Sequence, residues 1–456
     1  MQINDALRPV DLKPQIERLF ECSGQKILAI EDTWLPEKGT PVFTVAGTYT
    51  TRGWTEWTQG FQFGSAILQF DATGDEQFLE IGRRNTVEKM APHVTHIGVH
   101  DHGFNNVSTY GNLRRLMREG VIPWNDSEMD FYELALKASA AVQAARWTRI
   151  NDGTGYIASF NGPHSLFSDT IRSLRALGLG HTLGAVLMGE GDAAISLLER
   201  LLQHSQTTAT YNVYYGEGRD AFDIRGRVVH ESIFNTNDGN YRCPSTQQGY
   251  SPFTTWTRGL AWIITGYAEQ LEFFDTLPAD MLEPYGGYEL ATAHMRKAAE
   301  ATADFYIENT AQDGIPYWDT GAPGLAGLGD YSSVPAYPYN DLEPVDSSAA
   351  AIAAQGLIRL GNYLRKHGES EVGDSYYQAG LTVAKTLFAE PYLSESDTHQ
   401  GLLMHSVYHR PNGWDYVPEG RQIPCGEASM WGDYHARELA VLLWREIVEK
   451  PYLTFF

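Results

Sequence analysis

Cysteine is close to absent: Cys22, Cys243 and Cys425 are scattered through 456 residues. No two form a C-x-x-C pair, so neither a zinc knot nor a disulfide framework is expected. Basic charge is scarce as well. Lys and Arg number 34 against 57 Asp and Glu, a formal net charge of −23. Nucleic acid and anionic membrane need clustered cations, so both are excluded as partners. A small anionic substrate held by a few local donors is not excluded. No run approaches about 18 apolar residues, so no membrane span is expected. The stretch "MQINDALRPVDLKPQIERLF" lacks a basic segment followed by an apolar one, and a cytoplasmic location is expected. The patterns G-x-x-x-x-G-K-[ST], G-x-S-x-G and G-x-G-x-x-G are missing, which removes the usual support for phosphoryl transfer, ester hydrolysis and dinucleotide redox chemistry.

Aromatic residues are plentiful, at 12% with 11 Trp and 25 Tyr. They suit either a large core or a pocket that stacks sugar rings. Helical periodicity dominates the chain. Apolar residues recur at i, i+3, i+4 in roughly twelve segments, among them "LKPQIERLFECSGQKIL", "QGFQFGSAILQF", "DFYELALKASAAVQAARW", "TTWTRGLAWIITGYAEQLEFF", "DSSAAAIAAQGLIRLGNYLRK" and "GDYHARELAVLLWREIVEK". Few segments alternate; "RGRVVHESIF" is the best strand candidate and fits a hairpin in an insertion. Helix starts are marked by Asp75, Ser168, Thr254, Asp346 and Asp433. The aromatic, glycine-rich "PYWDTGAPGLAGLGDYSSVPAYPYNDLEP" is too long for a connector and reads as a functional loop. With no linker and no composition break, residues 1–456 fit one all-α domain, an (α/α)6 toroid with its site in the loops at one end. An open solenoid is second, disfavoured because no fixed-period repeat is visible.

Several carboxylates sit beside aromatics, glycines or helix starts. Asp346 and Asp433 stand where N-caps belong, and Asp319 follows two aromatics in a loop that it can order. Asp169 in "HSLFSDTIRSL" lies in the first turn of an apolar helix, and Asp101 in "VTHIGVHDHGF" lies just before Gly103, which permits close backbone approach by a ligand. Two carboxylates in one cleft, one protonated and one ionised, are the minimal equipment for sugar chemistry. A cap plus a turn residue is the plainer reading of the same pair. His96, His100 and His102 cannot all converge from one helix, and no further ligand motif accompanies them, so no metal is expected. In "QQGYSPFTTWTRGLAW", Trp256 and Arg258 open a helix with Gln248 upstream, and Trp262 turns inward. Guanidinium, indole and amide suit a carboxylated sugar, and a buried Arg paired with an acid is the alternative.

These motifs, taken in order, resemble the unsaturated glucuronyl hydrolases, glycoside hydrolase family 88. "WTEWTQGFQFGSAILQFDATGD" is similar to that family's W-x-x-G-F-W-x-G…TGD segment, with Trp57 at its pocket tryptophan. "HDHGF" resembles H-D-x-G-F, and "SDTIRSLRALG" resembles the helix start bearing the second aspartate. "QGYSPFTTWTRGLAW" resembles Q-G-x-S…W-A-R-G-Q-A-W, and "PYWDTG", "DSSAAAIAAQGL" and "WGDYHARELAVLL" resemble C-terminal signatures. The likeness runs from about residue 51 to residue 444. The departures are His102 for Leu or Ile, Leu260 for Gln, Phe160 for Trp, "TIRSL" after Asp169 and extra residues before His230.

The resemblance implies the toroid, catalytic roles for Asp169 and Asp101, and substrate contacts from Trp57, His100, Phe160, His230, Gln248, Trp256, Arg258 and Trp262. It implies hydration of a 4,5-unsaturated uronic acid at the non-reducing end of an acidic oligosaccharide, without metal or organic cofactor, by a monomer or homodimer. Asp169 would protonate C4 and then assist water, with Asp101 stabilising charge. An exo-hydrolase of saturated uronides, a sugar epimerase using His100, His102 and His230, and a non-catalytic sugar-binding protein are the alternatives.

Overall fold

The computed structural model describes residues 1–53 and 56–456; Trp54 and Thr55, which open the first quoted motif, lie outside the described residues. Twelve principal helices are taken in pairs, the outer member first. The pairs are α1 (Lys13–Thr33) with α2 (Gln59–Thr73), and α3 (Glu76–Lys89) with α4. Helix α4 runs His102–Asn106, through a π-helical turn at Val107–Gly111, into Asn112–Arg118. Next come α5 (Asp126–Ala145) with α6 (Thr170–Ser173 and Arg175–Thr182), and α7 (Leu197–Tyr211) with α8 (Thr257–Phe274). The last pairs are α9 (Gly287–Asn309) with α10 (Ser347–Lys366), and α11 (Ser370–Leu387) with α12 (Met430–Ile447). The even-numbered helices form a closed ring in which α4 touches α2 and α6, α8 touches α6 and α10, and α12 touches α10 and α2. This is the toroid the periodicities imply, not an open solenoid. Inner α8, α10 and α12 are buried on nearly every face, whereas outer helices such as α1 and α5 keep a solvated side.

Local chemistry sets the turns. "ATGDEQ" closes α2 on Gly74 at φ 73°, and Asp75 then caps α3 by accepting the Gln77 N–H at 3.0 Å. Asp346 caps α10 through the N–H groups of Ser348 and Ala349, as expected. Three other cap assignments are corrected. The N-cap of α6 is Asp169 rather than Ser168, and that of α8 is Trp256 rather than Thr254. Asp433 lies inside the first turn of α12, which Ser429 caps; its carboxylate accepts the N–H groups of Leu402 and Leu403 and the Tyr49 hydroxyl.

Strands are few and short. The expected "RGRVVHESIF" hairpin is present only in its second half. Strand β2 (Glu231–Phe234) pairs antiparallel with β3 (Tyr241–Ser245), and also with β1 (Ser165–Phe167), which the periodicity does not reveal. Strand β1 delivers the chain to Asp169, and the Ser168 N–H donates to the His230 carbonyl at 2.9 Å.

The ring interior is charged. Arg172 and Arg175 of α6 meet Glu269 of α8 and Glu438 of α12, with Arg172 Nη1 2.7 Å from Glu269 and Nη2 3.1 Å from Glu438. Arg359 of α10 pairs with Glu272 of α8 at 2.6 Å. Burial opposes the Glu438 carboxylate, but Arg172 and Arg175 outweigh it and hold its pKa down to about 2. No helix among the described residues is long and apolar enough to cross a membrane.

Candidate active site

The amino-terminal ends of the inner helices meet around one cavity of about 240 Å³. His100, Asp101, Asp169, Phe104, Trp256, Arg258 and Trp262 line its floor and walls and are buried; Glu56, Trp57, Phe160, Gln247, Gln248 and Trp414 are half-buried at its mouth. Converging helix amino termini favour an anionic ligand.

Both candidate aspartates occupy N-cap positions, Asp101 on α4 and Asp169 on α6, and neither side chain caps its helix. The plain reading, a cap plus a turn residue, therefore fails in its cap, and both carboxylates remain for the cavity. Gly103 brings them together. A Cβ there would lie 2.1 Å from the Ser173 carbonyl oxygen, so only glycine lets α4 seat against α6. The Gly103 N–H donates to Ser173 Oγ at 2.9 Å, and Ser173 Oγ donates to the His100 carbonyl at 2.6 Å. The close approach is thus between two helices, not between backbone and ligand.

His100 joins the pair. Its Nε2 lies 3.1 Å from Asp169 Oδ1 and 3.8 Å from Asp101 Oδ1. Burial disfavours the imidazolium, but the two carboxylates outweigh burial and raise its pKa above 6.5. Burial pushes Asp101 up to about 6, with Asp169 and Glu56 adding to the effect and His100 opposing it. For Asp169, burial is outweighed by the His100 charge and hydrogen bond, which hold it below the ordinary carboxylate value. That direction favours the ionised form of Asp169, against the expectation that it is the protonated member of the pair. His100 thus holds a proton more readily than a free imidazole, Asp101 more readily than a free carboxyl and Asp169 less readily, and the three groups titrate together.

The aromatic shell is extensive. Trp57 stacks on Trp431 at 5.0 Å, Phe104 packs on Trp262 at 4.8 Å, and Phe160 lies parallel to His100 at 6.2 Å. Arg258 is in the wall with its donors engaged. Nη2 donates to Gln248 Oε1 at 2.7 Å and to the Tyr408 carbonyl at 2.8 Å. Nη1 donates to the Val407 carbonyl and lies 3.3 Å from Asp346. Its guanidinium sits between Trp256 and Trp431, at 4.6 and 4.7 Å. The buried Arg–acid pairing is therefore present, and Gln248, with its oxygen taken, offers its NH2 to the cavity.

His230 stands one layer back, packed on Phe167 at 4.5 Å and Trp256 at 4.7 Å. Its Nδ1 accepts the Gln247 N–H at 3.1 Å, which places the proton on Nε2; burial keeps the ring neutral, with a pKa near 4. The 316–344 loop lines no part of the cavity, contrary to its reading as a functional loop. It buttresses instead, since Asp319 accepts the Tyr250 N–H at 2.8 Å. Sequence reasoning missed Glu56, Gln247, Tyr408, His409, Asn412 and Trp414. The last four share "YHRPNGWDY", whose Pro-Asn-Gly turn between aromatics is the available signal.

No family model matches the chain. Individual relatives do. The unsaturated glucuronyl hydrolase of Formosa agariphila is 25% identical over 385 residues, covering 84% of this chain and 78% of that protein. The unsaturated glucuronyl hydrolase of Bacillus sp. strain GL1 is 25% identical over 403 residues, covering 86% of this chain and 87% of its own. The chain is a homologue of the unsaturated glucuronyl hydrolases. The crystal structure of the Bacillus sp. GL1 enzyme shares the fold, with a TM-score of 0.68 at 21% identity over 93% of this chain and 96% of its own. So does an unsaturated glucuronyl hydrolase variant from Streptococcus agalactiae complexed with dGlcA-GalNAc6S, with a TM-score of 0.62 at 19% identity over 97% and 93%.

Of the departures from the unsaturated glucuronyl hydrolase pattern, Phe160 alone among the three single-residue ones lines the cavity. Leu260 is core. His102 is buried away from the cavity, its Nε2 donating to the His96 carbonyl at 3.0 Å and its Nδ1 2.9 Å from Ser139 Oγ. The three histidines of "VTHIGVHDHGF" therefore do not converge.

Proposed function

We propose that the protein is a glycoside hydrolase that removes a 4,5-unsaturated uronic acid from the non-reducing end of an acidic oligosaccharide, by adding water across the C4=C5 bond. One observation carries the reading: a single imidazole bridges two buried carboxylates at the floor of an aromatic, single-sugar-sized cavity. Homology to unsaturated glucuronyl hydrolases supports the substrate class, as does the Streptococcus agalactiae neighbour bound to dGlcA-GalNAc6S.

In the bound state the substrate carboxylate adds negative charge to the floor, which opposes the ionised form of Asp169. The proton passes from His100 Nε2 to Asp169 along their 3.1 Å hydrogen bond. Asp169 delivers it to C4 as the C4=C5 π electrons form the new C–H bond, leaving an oxocarbenium centre at C5. Asp101, ionised at pH above its value of about 6, stabilises that charge. Water attacks C5 and gives its proton to Asp169, now a carboxylate acting as base. The resulting hemiketal opens by breaking the bond from C5 to the ring oxygen, and the hemiacetal left at C1 collapses to release the leaving-group sugar. Substrate plus water equals products, with no redox change. Gln248, Gln247 and Asn412 offer neutral donors to the uronate, while Trp57, Phe160 and Trp414 offer ring faces.

The test is absorbance of the C4=C5 bond during incubation with a panel of unsaturated disaccharides. Absorbance should fall with stoichiometric release of the second sugar. Release from saturated uronides, with no loss of absorbance across the panel, overturns the reading. The rate should also fall about tenfold per pH unit once His100 loses its proton above its ordinary value of 6.5.

A further inference from the structure

Helix α5 carries a polar stripe on the face it turns to the ring. Ser139, Gln143 and Arg146 follow one another at i, i+4 and i+7, and Ser139 and Gln143 are fully buried where an outer helix ordinarily presents apolar side chains. All three meet the segment that leads into α4. Arg146 donates to the Ile97 carbonyl, Gln143 Nε2 donates to the His100 carbonyl at 2.9 Å, and Ser139 Oγ lies 2.9 Å from His102 Nδ1.

The hold on His100 is doubled. Ser173 Oγ donates to the same carbonyl at 2.6 Å, and it accepts the Gly103 N–H and a proton of Gln143 Nε2, each at 2.9 Å. A hydroxyl has one proton and two lone pairs, so Ser173 is used in full. Ser173 stands on α6 one turn beyond Asp169, in "TIRSL", where the chain departs from the unsaturated glucuronyl hydrolase pattern. One side chain therefore ties the helix that bears Asp169 to the turn that bears His100 and Asp101. With its carbonyl pinned twice, His100 is left only its side-chain torsions, and Phe160 and Phe167 pack on its ring at 6.2 and 5.7 Å. Neither Ser173 nor Gln143 lines the cavity.

We propose that Ser173 and Gln143 are positioning residues that together hold His100 at hydrogen-bond distance from Asp169, and so keep open the route of the proton between them. This rests on the reading of His100, Asp101 and Asp169 as the reacting groups. The charged and titratable groups felt at His100 are Asp101 on its own turn, Asp169 on α6, Arg146 on α5, His102 on α4, His204 on α7 and His230 before β2. Only the two carboxylates favour its cation. Slackening the clamp draws the ring away from Asp169, while Arg146 stays held by the carbonyls of Ala158 and Ser159, so the imidazole gives up its proton at lower pH.

The experiment follows the His100 imidazole by NMR in protein labelled at its histidine ring carbons, with His100→Gln to assign the signal. Turnover of unsaturated disaccharides is measured in parallel. In Ser173→Ala, His100 should titrate about half a pH unit or more below wild type. Its kcat should fall about tenfold or more while KM changes less than about threefold, and the alkaline limb of the kcat profile should move with the titration. Gln143→Met, close in volume, should give the same changes in smaller measure, and it carries the test alone if Ser173→Ala does not fold. A His100 titration that matches wild type or rises in a folded variant overturns the proposal, whatever the change in stability. A lowered titration with unchanged kcat overturns the proton route. A lowered titration in a protein whose wild type turns over no unsaturated disaccharide removes the hydrolase reading and leaves the clamp. Wild-type turnover with an unshifted titration does the reverse.

Discussion

Helix α6 joins two buried charge clusters that differ in kind. Two residues separate Asp169, which faces the cavity, from Arg172, which faces the ring interior. In the interior, Arg172, Arg175 and Arg359 stand among Glu269, Glu272 and Glu438, so fixed positive and negative charges balance. In the cavity, Asp101 and Asp169 share His100, one titratable cation for two carboxylates. Arginine does not release its proton at working pH, so the first cluster is locked. Histidine does, so in the second the proton is shared out by burial and by whatever enters. A balanced cluster holds its charges fixed; an unbalanced one leaves a proton free to move.

The largest effect should come from breaking the unbalanced cluster at its donor. Asp169→Asn removes the group proposed to give and take the proton, and kcat should fall by about 10²–10⁴-fold or more. Thermal unfolding should stay close to wild type, because the Asp169 side chain makes no cap. Near-normal turnover in this variant would sink the assignment. Next comes the balanced cluster. Arg172→Met leaves buried glutamates short of a partner and should cost about 3–5 kcal/mol in chemical denaturation. Arg172→Met combined with Glu438→Gln should recover part of that loss, because charges leave in pairs. A double variant no better than the single one would show that shape, not balance, holds the ring.

Asp101→Asn separates the clusters by sign. A folded pKa of about 6, against 3.8 for the free group, means that Asp101 contributes stability fully below 3.8 and loses it as pH rises through 6. The Asn variant carries no such loss. Its advantage over wild type should grow between pH 4 and 6 and level off at about 3 kcal/mol, while its activity falls. Denaturant titrations at pH 4.5 and 7.5 read the difference; an advantage independent of pH would mean that Asp101 is not the strained group.

The ring was legible in the sequence because helical periodicity is local: each of the twelve apolar repeats needs only its own residues. The two aspartates were legible as candidates, and Gly103 marked a close approach. What the approach was to could not be read, since Ser173 lies 70 positions away and meets Gly103 only in the closed ring. The lowered pKa of Asp169 was out of reach for the same reason, because His100 meets Asp169 across 69 positions. The Tyr408–Trp414 segment offered only its Pro-Asn-Gly turn, because its shape is imposed from elsewhere. The Val407 N–H is accepted by Asp346 at 3.3 Å, and those of Tyr408 and His409 by Asp415 at 2.5 and 3.0 Å. Arg258 was recognised as buried or substrate-binding, and only the Val407 and Tyr408 carbonyls decide how its donors are used.

His102 gives the smallest and most discriminating test. In the sequence it is the departure nearest the catalytic candidates, one residue from Asp101. In the structure it belongs to neither cluster: burial holds its pKa near 4, so it stays neutral and bridges the His96 carbonyl to Ser139 of α5. His102→Leu, which resembles the family pattern, leaves that carbonyl and hydroxyl with fewer partners and should cost about 1–2 kcal/mol of stability. It should shift kcat by less than about threefold at temperatures where the variant is folded. A large loss of kcat with unchanged unfolding would place His102 in the proton circuit of His100, and the boundary between scaffold and chemistry would have to be redrawn one residue further along α4.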